Sequence, residues 1–332
     1  MLNQSLSCKV YSLVSSRTVA PQIGSAGTGL LLVLVGLNVL WAGAYPSARV
    51  VMETHRAEWV AAFRFVGTAL GLGALLLIPA FRRALARRFP TRPRDFVLAA
   101  ALGAFGVSST YICYFWGTKL STATEATILV STSPIFYALL ARWWLKEPFP
   151  LTKSFGIAIG LLGAWVIVNK GLVLRQFSGA TWGNLLVMMG VLIESIDVVL
   201  AKSLAMRYSG VAVFWIESVF AGLSLTLIAL LVAGVPPAEL SPAQGWALGY
   251  LIGVCTVFAF SVWFYLMERA PVGGMGVSIL AQTPAAAFIG YFILHEPLHP
   301  TVWLGAALIM SGIWFTLKPP VKRHQERRRS RR

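Results

Sequence analysis

Two apolar stretches of this sequence carry the same punctuation about one repeat length apart. Residues 133–149 read SPIFYALLARWWLKEPF, and residues 283–298 read TPAAAFIGYFILHEPL. Each has a proline inside an apolar run and a Glu-Pro where the run ends. The match continues past them: Gly156 aligns with Gly305, Gly163 with Gly312 and Trp165 with Trp314, all at an offset of 149. Before them Lys119 aligns with Arg269 at 150, and Arg49 with Lys202 and Arg64 with Glu217 at 153. Short insertions account for the drift. A chain duplicated in this way is built from two copies of one structural unit, and in an apolar chain that pattern points to a membrane carrier made of two repeats.

Composition places the duplication in a bilayer. The 332 residues are 57% hydrophobic and 12% charged, with mean hydropathy +0.72. Soluble domains carry about 25% charged residues, so this chain has too little polar surface to cover a globule in water. Its formal charge of +16 is not the footprint of a nucleic-acid binder. The basic residues fall in loops between apolar runs and in the tail VKRHQERRRSRR, where they face anionic lipid and set orientation. The three cysteines, Cys8, Cys113 and Cys255, form no CxxC pair, so neither a redox motif nor a zinc knuckle is indicated.

A membrane-crossing helix needs about 20 apolar residues. Ten candidate spans meet that need approximately: 28–48, 56–79, 95–117, 121–142, 152–169, 182–202, 211–233, 245–267, 272–294 and 301–317. The expectation is an all-α membrane protein of ten transmembrane helices, arranged as two five-helix repeats over 28–169 and 182–317. A cytosolic leader (1–27) and a basic cytosolic tail (318–332) flank them. With both termini cytosolic, the inside segments hold 22 Lys and Arg and the outside segments 5. The positive-inside rule selects that orientation. Five spans per repeat is an odd number, so the second repeat enters the bilayer inverted, which puts a site near mid-membrane between the halves. In the fifth span, GIAIGLLG sets Gly156, Gly160 and Gly163 near one helix face, where small residues let helices approach closely.

Charges inside the spans mark the candidate site, because each costs at least about 2.5–3.5 kcal/mol near the bilayer centre. Glu194 and Asp197, in VLIESIDVV, are three residues apart and share a helix face. At about 1.5 Å per residue Glu194 lies roughly 18 Å into its span, near the middle. Glu217 in FWIESVF and Arg64 in AAFRFVG are also deep. Glu125, about one turn into the fourth span, reads as structural. One deep cation cannot neutralise three deep acids, so the excess carboxyls either hold protons or meet a positive ligand. Pro134 and Pro284 stand at matching places in two spans, where proline bends a helix and frees carbonyls toward neighbouring helices or a wet cavity. They are the expected gating kinks, with Thr132, Ser133, Gln282 and Thr283 beside them. Of the aromatics at these depths, Trp41, Tyr45 and Tyr114 are taken as candidate ligand contacts. HEPLH at 295–299 matches the HExxH zinc pattern. That pattern needs an unbroken helix, and Pro297 stands inside it, so no metal and no cofactor is expected.

The duplication, the spans and the proline-then-Glu-Pro signature together resemble the drug/metabolite transporter superfamily, EamA type, over residues 28–317. The matching pieces are LWAGAYPSARV, FRFVGTALGL, SPIFYALLARWWLKEPF and GIAIGLLGAWVIV, then TPAAAFIGYFILHEPL and LGAALIMSGIWF. The resemblance implies a secondary carrier in the cell (inner) membrane, commonly an exporter of amino acids, metabolites or drugs, working by alternating access with a small-molecule substrate. Its central cavity would be framed by spans 1, 3, 4, 6, 8 and 9. Where the first repeat has Trp41, the second has Glu194, which favours a charged or proton-coupled cavity. Three other readings stand beside this one. A nucleotide-sugar or phosphate-ester antiporter would call for several deep Lys or Arg to meet phosphate. A membrane enzyme would need a metal at the HEPLH loop, and a non-transporting scaffold or sensor would have no use for deep carboxylates.

Overall fold

The computed structural model describes residues 27–86, 88–120, 129–130, 132–145, 150–168, 181–236, 239–294 and 300–317, and no strand occurs among them. Helices are what lipid demands, since the bilayer core offers no water to satisfy open backbone groups. In chain order they are α1 (Gly27–Ala42), α2 (Ala44–Met52), α3 (Ala57–Leu75), α4 (Pro79–Ala86), α5 (93–120), α6 (Ser133–Trp144), α7 (Leu151–Val168), α8 (Thr181–Ala205), α9 (Gly210–Ala233), α10 (242–267), α11 (272–294) and α12 (Thr301–Leu317). Among the described residues five stretches are long and apolar enough to cross a membrane: Gly29–Met52, Ala57–Leu75, Pro93–Gly117, Gly210–Ala233 and Pro242–Met267. Helices α7 and α12 are apolar but shorter. Helix α8 has 25 residues but carries Glu194, Asp197 and Lys202.

Several elements depart from a plain span. α1 and α2 are separated at Gly43, because Pro46 lacks the N–H that Ala42 would use to continue the helix. Tyr250 fills the space beside the break: a Cβ on Gly43 would lie 2.7 Å from its hydroxyl oxygen, and that hydroxyl donates to Leu40 O at 2.8 Å. The basic break after α3 is not a simple loop. FRRALARR contributes to the short helix α4, which buries Leu85 and leaves Arg82 and Arg83 outward. α11 opens as an α-helical turn, Val272–Val277, tightens to a 3₁₀ stretch, Ser278–Ala281, and resumes as Gln282–Leu294.

The repeats meet through their own counterparts. α3 lies along α9, and α7 along α12. The α7–α12 contact is glycine on glycine. A Cβ on Gly163 would lie 2.6 Å from Gly305 O, and one on Gly312 would lie 2.5 Å from Gly156 O and 2.7 Å from Gly160 N. The glycine face expected from GIAIGLLG is thus the face that α12 occupies. Ile157, Ala164, Ile309 and Ile313 are buried in the apolar cluster at this pair.

Candidate functional site

α8 supplies the centre of the site. It packs against the C-terminal part of α5 and against α6, and its three-residue spacing turns Glu194 and Asp197 toward the same neighbours. The Tyr114 hydroxyl on α5 donates to Glu194 Oε2 at 2.5 Å, and the Tyr137 hydroxyl on α6 donates to the same carboxyl. Gly190, one turn before Glu194, makes this reach possible, because a Cβ there would lie 2.8 Å from the Tyr114 ring. Asp197 is 7% exposed and faces Gly106 of α5. Glu217 on α9 is 1% exposed and lies within electrostatic reach of Asp197. Asp197 Oδ1 and Glu217 Oε1 have no hydrogen-bond partner among the described residues. Buried polar atoms in folded proteins are nearly always partnered. Two orphaned carboxyl oxygens on groups within electrostatic reach of one another are a place for a proton or a cationic donor.

Arg64 does not supply that positive charge by direct contact. It is 5% exposed, its Nε donates to Thr256 Oγ1 at 2.8 Å, and among the described residues it makes no ion pair. Its guanidinium sits over the Tyr111 ring, 4.9 Å from the centroid, and 5.9 Å from that of Phe260. Stacking of this kind stabilises a desolvated cation by about 0.5–2 kcal/mol. Tyr111, whose ring carries the guanidinium, also has Glu194 and Asp197 within electrostatic reach.

Both α5 and α10 widen to π-helix, at Leu102–Val107 and Tyr250–Phe258. At the offset of 150 that pairs Lys119 with Arg269, the first stretch falls on 252–257, inside the second, so the same widening recurs in each repeat. π-bulges cluster at functional sites. In each, a hydroxyl closes on the carbonyl five residues back: Ser108 Oγ donates to Gly103 O at 3.1 Å, and Thr256 Oγ1 to Leu251 O at 2.6 Å. Each hydroxyl also reaches the other repeat. Ser108 Oγ lies 2.6 Å from Ser224 Oγ on α9, and Thr256 Oγ1 accepts from Arg64 on α3. Gly103 lets α5 come against the α9 backbone at Glu217, where a Cβ would overlap. Replacing Thr256 with Val removes the acceptor of a buried guanidinium. Thr256→Val should lower stability by about 1–3 kcal/mol, read as a fall in thermal midpoint of the detergent-purified protein, while Thr256→Ser should retain most of it.

The other sequence candidates fall as follows. Trp41 is buried and its Nε1 donates to Cys255 O at 2.7 Å, with its ring against Phe260 and Trp263. It joins α1 to α10. Tyr45 lies in α2, its side chain outside the described residues, and Glu125 is outside them altogether. Pro134 stands in the first turn of α6, where Thr132 Oγ1 and Ser133 Oγ cap Leu129 O and Val130 O, each at 2.6 Å. Pro284 is buried in the first turn after the 3₁₀ stretch of α11. Beside it Gln282 Nε2 donates to Asn38 Oδ1 at 2.8 Å, and Asn38 Nδ2 donates to Ser278 Oγ at 2.9 Å, which ties α11 to α1. Tyr137, Ser108 and Thr256 escape a reading of deep charges. The duplication gives no signal for the two hydroxyls: at the offset of 150 that pairs Lys119 with Arg269, Ser108 falls on Phe258 and Thr256 on Gly106. Among the described residues no group of His, Cys, Asp and Glu is placed to hold a metal, and the HEPLH loop lies outside them.

The EamA-like transporter family profile matches residues 27–169 and 181–318. An "uncharacterized transporter" of Archaeoglobus fulgidus is 27% identical, over 90% of this chain and 99% of that protein. The "uncharacterized transporter YetK" of Bacillus subtilis is 26% identical, over 91% and 92%. A "probable terminal-alkyne amino-acid exporter" of Streptantibioticus cattleyicolor is 27% identical, over 88% and 95%. A solved crystal structure superposes with a TM-score of 0.68 at 19% identity, over 93% of this chain and 99% of the other, which shows a shared fold. An apolar helical chain in two matching halves, similar to proteins named as transporters, is a multi-pass membrane transporter. The chain belongs to the EamA-like transporter family of the drug/metabolite transporter superfamily.

Proposed function

We propose that this transporter is a secondary-active exporter of small metabolites bearing an ammonium group, such as amino acids or amphipathic amines, and that it works by alternating access. In this reading ten helices cross the cell membrane as two inverted five-helix repeats, 28–169 and 182–317, between a cytosolic leader and tail. Glu194 and Asp197 receive the ammonium group or a coupling proton, and Tyr114 and Tyr137 hold Glu194 in place. Arg64, stacked on Tyr111, meets a substrate carboxylate. The segments bent at Pro134 and Pro284 open and close the two gates. The observation that carries the reading is the unneutralised acid group. Asp197 Oδ1 and Glu217 Oε1 lack partners among the described residues, and the one deep arginine is bound to Thr256 instead.

A thermal-shift screen of the purified protein against amino acids, polyamines and nucleotides tests the substrate class, since a ligand that binds only the folded state raises its apparent stability. Stabilisation by amines or amino acids supports the reading, and stabilisation by nucleotides alone overturns it. Orientation has its own test. A cysteine placed at Ser330 should react with an impermeant thiol reagent only in permeabilised cells, and one at Glu239 in intact cells. Free labelling at position 330 in intact cells would remove the basis for the inverted repeat.

A further inference from the structure

A cavity of about 650 Å³ opens away from the acid group, where the N-terminal end of α5 parts from the C-terminal ends of α6 and α8. That volume falls in the usual range of small-molecule sites, about 300–1,000 Å³. Its wall is chiefly apolar, with Leu98, Trp144 and Leu200 prominent, and its rim carries Arg92, Arg94 and Arg207. The single acid at the rim, Asp95, is already engaged: Arg207 Nη1 lies 3.2 Å from its Oδ2, and the Tyr208 hydroxyl donates to the same oxygen at 2.7 Å. Arg92 and Arg94 are exposed and form no ion pair among the described residues. On the flanks of the cavity Val97 is 63% and Trp143 85% exposed. Apolar side chains can face outward on this membrane protein only against lipid, and tryptophan is enriched where acyl chains meet headgroups.

An apolar cleft with a cationic rim, set at the basic end of a bundle and flanked by lipid-facing side chains, is complementary to one kind of occupant. We propose that it is a binding site for an anionic phospholipid of the leaflet at the basic end. The phosphate would meet Arg92 and Arg94, and an acyl chain would lie along Leu98, Trp144 and Leu200. Arg207, fixed by Asp95, holds the α5–α8 wedge open at the headgroup level. Basic clefts between helices on this side of membrane proteins are where acidic headgroups are recognised. The bound lipid would bridge α5, α6 and α8, the three helices that also present Tyr114, Tyr137 and Glu194. The inference stands on the cavity and its charges and does not depend on the substrate reading above.

Native mass spectrometry of the full-length detergent-purified protein tests it, with phosphatidylglycerol and phosphatidylcholine of identical acyl chains as probes. The wild type should retain phosphatidylglycerol over phosphatidylcholine by about tenfold, as expected for two arginines at a headgroup. The double variant Arg92→Gln with Arg94→Gln changes only exposed side chains, so it should fold with an unchanged thermal midpoint, and its preference should vanish. Leu98→Trp should reduce retention of both lipids by narrowing the apolar part. Inorganic phosphate at excess should displace neither, because it lacks the chain. Equal retention of the two lipids by the wild type would overturn the proposal, as would a preference that survives the double variant. Displacement by phosphate alone would overturn it in favour of a free-anion site. Loss of transport in Leu98→Trp with phosphatidylglycerol retention intact would overturn it in favour of a substrate passage.

Discussion

Glu194→Gln should reduce transport of the amine or amino acid that stabilises the protein by about tenfold or more, the equivalent of losing one charge-assisted hydrogen bond of about 1.5–3 kcal/mol. The isostere keeps its contacts with Tyr114 and Tyr137, so folding and expression should survive. Asp197→Asn should behave in the same way, and since its Oδ1 has no partner among the described residues, it should not cost stability. The expected signature is therefore lost transport with an unchanged or higher thermal midpoint. A structural ion pair behaves oppositely, because removing one partner strands the other charge and costs about 3–5 kcal/mol. Arg64 would have been the stranded group, but its Nε is held by Thr256, which is why destabilisation is not expected.

The same pair of variants separates ligand binding from proton coupling. If the acids carry the coupling proton, the residual transport of Glu194→Gln should no longer respond to an imposed pH gradient, while binding of the substrate persists. If they bind the ammonium group, the thermal shift produced by the amine should disappear in step with transport. Full, gradient-driven transport in the double variant would leave the acids without a role in either, although the fold and the family would be unaffected.

How far the sequence revealed this site depends on the kind of signal each residue leaves. Glu194, Asp197, Glu217 and Arg64 were legible because a charge in an apolar run needs a physical reason, and the i, i+3 spacing of the first two fixed their shared face. Their partners were not legible in the same way. Tyr137 sits in SPIFYALLARWW among other large side chains, and nothing in that run separates a ring that packs from a hydroxyl that holds a carboxylate. Arg64 was legible as the one deep cation in an apolar run, but not what holds it, a threonine on α10 and the Tyr111 face. Nothing local announces the π-helical stretches, which contain no proline. Laying the repeats over one another does not announce them either, since at the offset of 150 Ser108 falls on Phe258 and Thr256 on Gly106. The prolines were legible as interruptions, but the structure puts Pro134 in the first turn of α6 and Pro284 in the first turn after the 3₁₀ stretch of α11, and the break in the first span at Gly43 follows from Pro46, which carried no such expectation.

The glycine interface between α7 and α12 gives the largest expected effect on stability. Gly312→Leu should lower the thermal midpoint and the yield of folded protein more than any variant at the acid group. The reason is backbone contact: a Cβ at Gly312 would already lie 2.5 Å from Gly156 O and 2.7 Å from Gly160 N, and main chain cannot rotate away as a side chain would. Either the two helices separate or the carbonyls shift, and overpacking of this kind costs about 1–3 kcal/mol even where side chains can yield. Within lipid the loss is not recovered by hydrophobic burial elsewhere, because close van der Waals contact is itself a main source of helix association there. Gly163→Leu meets Gly305 O from the other side and should act similarly. Since both variants part the same pair of helices, the double variant should cost less than the sum of the two. Gly36→Ala is the control. A Cβ there meets nothing within 4 Å, and exchange of a helical glycine for alanine favours the helix by about 0.5–1 kcal/mol, so its midpoint should hold or rise. Equal tolerance of leucine at Gly312 and alanine at Gly36 would mean that α7 and α12 do not approach through their glycines, and the close pairing of each repeat's last helix with its counterpart would have to be given up.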